Sequence, residues 1–136
     1  ENCIELLQVL LSSGYQVMLE TGGSLPVSAV PKGVIKIIDF KCPESKMEKK
    51  NLWSILEDLD SNDEIKFVIG NRTDFDWAID RVKEYNLTSK WTVLFSPVFD
   101  DLEYEDLVKW ILESKLPIRF QMQMHKHIWD PEMTGV

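Results

Sequence analysis

Polar residues at the ends of apolar stretches are the part of this sequence that could bind a ligand. Thr21 precedes a glycine pair at 22–23, Asp39 and Lys41 close a second apolar stretch, and His125 closes the last one. A glycine pair forms either a turn with positive φ or a backbone that approaches a ligand closely, here with the Thr21 hydroxyl beside it. Asp39 and Lys41 would share one face of a strand, as a surface ion pair or as groups that bind the amino and carboxylate ends of an amino-acid-like ligand.

Other polar residues indicate a ligand site less directly. Lys66 interrupts an apolar stretch, and alternation directs its side chain into a barrel or to its rim. Ser96 follows an apolar stretch and precedes a proline, a pair that is also consistent with a simple strand stop. In the stretch FQMQMH, His125 alternates with Gln121 and Gln123, so the three side chains would share a polar strand face. A lone histidine is more often structural than catalytic. The sequence contains no P-loop, no GxGxxG fingerprint and no legible nucleophile triad.

The apolar periodicity predicts the elements that would position these residues. Spacings of three and four residues predict four helices, at 2–13, around 52–59, from a Thr73 cap onward, and at 103–114. On the last of these helices the predicted buried residues are Leu107, Val108, Ile111 and Leu112. Apolar or alternating stretches predict five strands, at 15–20, 34–40, 64–70, 91–96 and 118–124.

Alternation of strands and helices predicts the α/β class, with parallel strands joined by crossovers in a single domain covering 1–136. Right-handed crossovers on one side of the sheet would produce a partial (β/α) TIM-like barrel. A doubly wound sheet is the alternative, which periodicity does not exclude. In both architectures ligands bind at the carboxyl ends of the strands, where the candidate residues fall.

The composition argues against some classes of binding partner. The formal net charge is −8 over 136 residues, which argues against a nucleic acid or an anionic membrane surface. The sequence has no apolar run of membrane-spanning length and no signal-peptide pattern, so we expect a cytoplasmic protein. Its two cysteines, Cys3 and Cys42, lack metal-site spacing and are predicted to be reduced thiols, with a single disulfide as the alternative.

An ordered set of stretches adds a resemblance that covers essentially the whole chain. The stretches are YQVMLETGGSLP, IIDFKCPESKM, DEIKFVIGNRTDFDWA, VLFSPVF and LPIRFQMQMHKHIWDP. In this order and spacing they resemble the second half of the 7-carboxy-7-deazaguanine synthases, radical S-adenosylmethionine (SAM) enzymes of the queuosine and 7-deazapurine pathway. The resemblance implies conversion of 6-carboxy-5,6,7,8-tetrahydropterin to 7-carboxy-7-deazaguanine with loss of ammonia. It also implies a [4Fe-4S] cluster that cleaves SAM to a deoxyadenosyl radical, assistance by Mg²⁺, a partial barrel and a homodimer.

The resemblance assigns expected roles to residues of this chain. It implies substrate contacts at Thr21 and His125. It implies SAM contacts at five residues, namely Gly23, Asp39, Phe40, Lys41 and Ser96. The family often has Gln where this chain has Ser96. Some members use the C-terminal carboxylate on the substrate, but the tail after His125 is longer here, which argues against that role for Val136.

The chain also departs from the family pattern. The three cysteines that hold the cluster, and the GGEP-type SAM motif that follows them, are not in this sequence. We therefore expect this chain to be the C-terminal portion of a longer enzyme and to be inactive by itself. Two alternatives remain at this point: a radical SAM enzyme that makes a glycyl radical on a partner protein, and a non-enzymatic α/β binding module.

Overall fold

A parallel sheet organises the part of the chain that the structure describes, residues 2–130 and 133–134 of a computed structural model. The five strands of this sheet are β1 (Met18–Thr21), β2 (Ile35–Phe40), β3 (Glu64–Ile69), β4 (Thr92–Pro97) and β5 (Ile118–Phe120). The helices are α1 (Asn2–Ser12), α2 (Arg72–Glu84), α3 (Tyr104–Ser114) and the short α4 (His125–Ile128).

The strand order distinguishes the two predicted architectures. Neighbouring strands pair in parallel in the order β1-β2-β3-β4-β5, without the reversal that a doubly wound sheet requires. Sequential order with α2 and α3 packed on one face is the arrangement of a partial (β/α) barrel, and the predicted α/β class is confirmed. Within the described residues the sheet remains open, because β1 and β5 do not pair.

Alternation along the strands separates a core face from a polar face. Phe67 and Phe95 lie edge to face, with centroids 5.6 Å apart, and Phe95 contacts Phe75 of α2. The opposite face, which we call the inner face, carries the residues that alternate with these aromatics, including Glu20, Asp39, Lys66 and Ser96. Lys66 lies on this face as predicted, and its Nζ is 2.8 Å from Glu20 Oε1.

A smaller apolar cluster holds the first helix against the sheet. Leu7 of α1 is buried with Val17 and Val34, which lie next to β1 and β2. Among the described residues no helix combines the length and the apolar character that crossing a membrane requires.

The predicted helix around 52–59 is wrong. Short 3₁₀ turns at Pro43–Ser45, Glu48–Lys50 and Trp53–Asp58 occupy this connection. Trp53 stacks on Phe40 at 4.3 Å and on Tyr85 at 4.4 Å, so side-chain packing determines the path of the chain. Helical spacing of leucines and isoleucines was therefore insufficient evidence for a helix.

Two details of the predicted helices also need correction. Helix α2 is capped by Asn71, whose Oδ1 accepts a hydrogen bond from Asp74 N at 3.0 Å, and not by Thr73. On α3, Leu107 and Ile111 are buried as predicted, but Leu112 is 73% exposed. Consecutive helical residues are rotated by about 100°, and Leu112 has passed beyond the apolar stripe that Ile111 occupies.

The last strand is shorter than the predicted 118–124. Gln121 N donates to Phe95 O at 2.9 Å, but the next residue of β4 that would donate back to β5 is Pro97, which has no N–H. The ladder stops there and the chain enters α4. His125 is therefore the first residue of a short helix, and the prediction that it closes a strand is wrong.

The end of the strand also changes the predicted face assignment. Phe120 packs against the core and contacts Tyr104, as expected for the apolar side of β5. Met122 and Met124 alternate with Phe120 in the sequence, but they are 42% and 64% exposed. The alternation in sequence continues for several residues after the backbone has left the sheet.

Candidate functional site

The carboxyl ends of β2, β3 and β4 border a cavity of about 320 Å³. Parallel α/β folds bind their ligands at this end of the sheet. The residues that line it are Asp39, Phe40, Lys41, Cys42, Glu44, Ser45, Val68, Asp74 and Val98. The cavity therefore brings together three predicted site residues, Asp39, Phe40 and Lys41, and its lining does not include Thr21, Gly23, Ser96 or His125.

Asp39 and Lys41 form the charged part of this cavity. They share the inner face, as their spacing predicted, and Lys41 Nζ lies 2.5 Å from Asp39 Oδ2. The Asp39 side chain is only 13% exposed, whereas that of Lys41 is 38% exposed. Asp39 Oδ1 is buried and has no hydrogen-bond partner, so it is available to a donor on a ligand or to an ordered water.

Unpartnered buried polar atoms concentrate near this end of the inner face. Among the described residues, four buried side-chain atoms have no hydrogen-bond partner: Asp39 Oδ1, Ser96 Oγ, Gln121 Oε1 and Arg81 Nε. The first three belong to β2, to β4 and to the residue after β5, and the pairing of Phe95 with Phe120 places Ser96 beside Gln121. An unsatisfied buried polar group costs about 1–3 kcal/mol, so three on one face indicate a place where a polar ligand or water completes the structure.

The Phe40 side chain points away from the inner face. It is fully buried, stacks on Trp53 and lies 6.1 Å from the ring of Phe67. The Phe40 ring therefore belongs to the core, and a ligand contact at this position is left to its main-chain atoms.

The glycine pair after β1 forms a turn against the core. Gly23 has φ +55°, and a Cβ at this position would lie 2.9 Å from Cδ1 of Phe40. Its carbonyl oxygen accepts a hydrogen bond from Leu52 N at 2.8 Å. Thr21 ends β1 and is half-buried, with its side chain on the face opposite to that of Glu20.

Asp74 is a buried polar residue in the wall of the cavity, and sequence reasoning missed it. Asp74, 2% exposed, accepts hydrogen bonds from Glu44 N and from Gly70 N, both at 3.0 Å. It thereby ties the loop after β2 to the end of β3. An aspartate in the first turn of a helix is common, so its sequence position carried no signal for this cross-loop role.

The two histidines lie on α4, outside this cavity. His125 is exposed. His127, which sequence reasoning did not single out, is hydrogen-bonded to the Tyr104 hydroxyl and lies edge-on to Phe99. These three aromatic residues border a separate cavity of about 220 Å³. Val136 lies outside the described residues.

The two thiols do not fit an iron–sulfur cluster. Both cysteines are free, with Cys3 exposed on α1 and Cys42 buried beside the cavity. Burial first, and then the negative charges of Asp74 and Asp39, raise the pKa of the Cys42 thiol well above its usual range, which disfavours the thiolate form that binds metal. In the described part of the chain no three histidine, cysteine or acidic side chains gather as metal ligands, and this applies equally to Mg²⁺.

Comparison with known proteins gives a consistent result. No protein-family model matches the chain. The chain is 37% identical to 7-carboxy-7-deazaguanine synthase of Koribacter versatilis, over 98% of this chain and 65% of that protein. It is 37% identical to the protein of that name from Chlorobaculum tepidum and 34% identical to that from Clostridium acetobutylicum, over 61% and 64% of their lengths. The chain thus spans slightly less than two thirds of these relatives.

Proposed function

Since the chain belongs to the 7-carboxy-7-deazaguanine synthase family, we propose that the full-length protein is a radical SAM carbon–nitrogen lyase. Its reaction converts 6-carboxy-5,6,7,8-tetrahydropterin to 7-carboxy-7-deazaguanine with loss of ammonia, a step of queuosine biosynthesis. The protein acts as a cytoplasmic homodimer on this small pterin, with SAM, a [4Fe-4S] cluster and Mg²⁺ as cofactors.

The Asp39–Lys41 pair is the observation that supports a SAM site most strongly. The amino-acid part of SAM carries an ammonium and a carboxylate, and the cavity offers one group of opposite charge to each. Asp39 Oδ1 is buried and unpartnered, so it accepts a hydrogen bond from the ammonium, while Lys41 Nζ binds the carboxylate. Phe40 contributes its backbone between them.

The remaining site residues have narrower roles in this proposal. Ser96 Oγ, unpartnered and buried on the inner face, supplies a SAM contact, and Gln121 beside it supplies polar lining. Gly23 supports the SAM site by allowing a tight turn against Phe40. Thr21 and His125 contact the substrate, and the exposed position of His125 requires α4 to pack toward the strand ends when substrate is bound.

Asp39, Lys41 and Ser96 would hold SAM, which together with the cluster would supply the radical chemistry that removes hydrogen from the substrate. The described residues of this chain offer no ligand set for the cluster, which has to be held by another part of the full-length protein. The chain by itself therefore binds polar parts of SAM and substrate and has no turnover.

Anaerobic reconstitution of the full-length protein with iron and sulfide tests the activity. With SAM, Mg²⁺ and 6-carboxy-5,6,7,8-tetrahydropterin we expect 7-carboxy-7-deazaguanine and ammonia, identified by mass spectrometry. An intact cluster that cleaves SAM without converting the pterin would refute the proposed substrate. SAM cleavage that instead depends on a protein partner would favour an enzyme that makes a glycyl radical.

A matched pair of variants tests the proposed role of Asp39. Asp39→Asn removes the charge beside Lys41, and we expect KM for SAM to rise about tenfold or more, because charge-assisted hydrogen bonds contribute about 1.5–3 kcal/mol. Asp76→Asn is the control, since Asp76 forms an exposed ion pair with Arg72 on α2. Equal KM values for the two variants would contradict the assignment.

A further inference from the structure

Asn51 makes a two-point contact with the backbone of a candidate SAM residue. Its Oδ1 accepts a hydrogen bond from Lys41 N at 2.9 Å, and its Nδ2 donates to Lys41 O at 2.9 Å. A side-chain amide that bonds both polar groups of one residue replaces the partner that a neighbouring strand would supply. Lys41 needs such a replacement, because it lies one residue after the end of β2, where the pairing with β3 has stopped.

The residue after Asn51 holds the second candidate segment. Leu52 N donates to Gly23 O at 2.8 Å. The dipeptide at 51–52 is therefore hydrogen-bonded both to the turn after β1 and to the end of β2. Both of these segments belong to the proposed SAM site, although a loop and strand β2 separate them in the sequence.

We propose that Asn51 is a positioning residue that holds Lys41 in register with the Gly23 turn, so that the two segments form one edge of the SAM site. This inference rests on the proposed function. Fixing the Lys41 backbone directs its side chain along the inner face toward Asp39, where the ammonium is 2.5 Å from Oδ2. A site whose backbone is already ordered loses less conformational entropy when the ligand binds.

Asparagine suits this position better than similar residues. Aspartate keeps the acceptor for Lys41 N but loses the donor to Lys41 O. Alanine loses both hydrogen bonds. The SAM affinity of Asn51→Asp is therefore expected to lie between those of the wild type and Asn51→Ala.

The test measures SAM affinity in the full-length, cluster-containing protein by equilibrium dialysis with labelled SAM. We expect Asn51→Ala to weaken SAM binding about tenfold, which corresponds to about 1.4 kcal/mol, and Asn51→Asp to weaken it less. Asn62→Ala and Asn62→Asp are matched controls, because Asn62 is exposed in the turn before β3. The controls are expected to bind SAM like the wild type.

Two further measurements distinguish positioning from a purely structural role. Hydrogen exchange of the Lys41 amide should accelerate in Asn51→Ala, while KM for the pterin stays near the wild-type value. A variant that unfolds at a lower temperature but binds SAM with unchanged affinity would overturn the inference.

The outcomes for this inference and for the proposed function are separate. A wild-type protein that binds SAM but leaves the pterin unchanged counts against the proposed substrate, and the Asn51 comparison still decides the inference. Equal SAM affinity of the wild type and Asn51→Ala overturns the inference even when the pterin is converted. A wild-type protein that does not bind SAM overturns both.

Discussion

Replacing Gly23 with alanine probes the turn that brings the end of β1 against β2. Gly23 has φ +55°, and the added Cβ would lie 2.9 Å from Cδ1 of Phe40 and 3.4 Å from Cγ2 of Ile38. The methyl group thus meets a fully buried ring that also stacks on Trp53. Two separate costs follow, one from the backbone and one from the contact.

Gly14 provides the control that separates these costs. It has φ +85°, but a Cβ there meets no atom within 4 Å. Holding a non-glycine residue in the left-handed region costs about 1–2 kcal/mol, so this is the expected effect of Gly14→Ala. Overpacking a core contact adds about 1–3 kcal/mol, so Gly23→Ala is expected to lower the free energy of unfolding by about 2–5 kcal/mol.

Urea denaturation of the full-length protein and the two variants, followed by circular dichroism, measures the difference. The excess loss in Gly23→Ala over Gly14→Ala estimates the contact with Phe40. Gly23→Ala/Phe40→Leu should recover part of this excess, because the smaller side chain leaves room for the methyl group. A Gly23→Ala variant no less stable than Gly14→Ala would refute the close packing of this turn on β2.

Three further outcomes follow from the buried polar groups. Asp63→Ala should lower the free energy of unfolding by about 3–5 kcal/mol, because it leaves the buried Lys36 ammonium with only the exposed Asp60 at 3.9 Å and removes the acceptor for the backbone N–H groups of Lys36 and Asp60. Urea denaturation measures this loss. The control is Asp76→Ala, which breaks an exposed ion pair and is expected to stay within about 1 kcal/mol of the wild type. Iodoacetamide at pH 8 should label Cys3 and leave Cys42 unlabelled until the protein unfolds, as peptide mapping by mass spectrometry can show; labelling of native Cys42 would contradict its burial. Burial raises the pKa of the Cys42 thiol. Above about pH 8.5 the unfolded chain has therefore lost a proton that the folded state keeps. The free energy of unfolding then falls with rising pH, by up to about 1.4 kcal/mol per pH unit. Cys42→Ala should show a smaller decline between pH 8 and pH 10, and identical declines would exclude this thiol as a cause.

The sequence was sufficient for the number and order of the strands and for the face that the charged candidate residues share. Strand periodicity is local, and it placed Asp39 and Lys41 on one face and Lys66 on the same side, as the ion pairs confirm. Helical spacing was a poorer guide where long-range stacking competed with it, as at Trp53. Alternation was correct at Gln121 but misled at His125, because strand length depends on a partner, and Pro97 on β4 cannot donate the next hydrogen bond.

By itself the sequence determined the α/β class, the polar residues at the strand ends and the family to which the chain belongs, because these depend on local periodicity and on the ordered set of stretches. Only the tertiary structure decided that the strands pair in sequential order and that Phe40 faces the core. It alone brought Asn51 and Leu52 to Lys41 and Gly23, and it gathered unpartnered atoms of Asp39, Ser96 and Gln121 on one face. These relations join residues that are far apart in the chain, so they depend on strand register and packing, which local spacing does not encode.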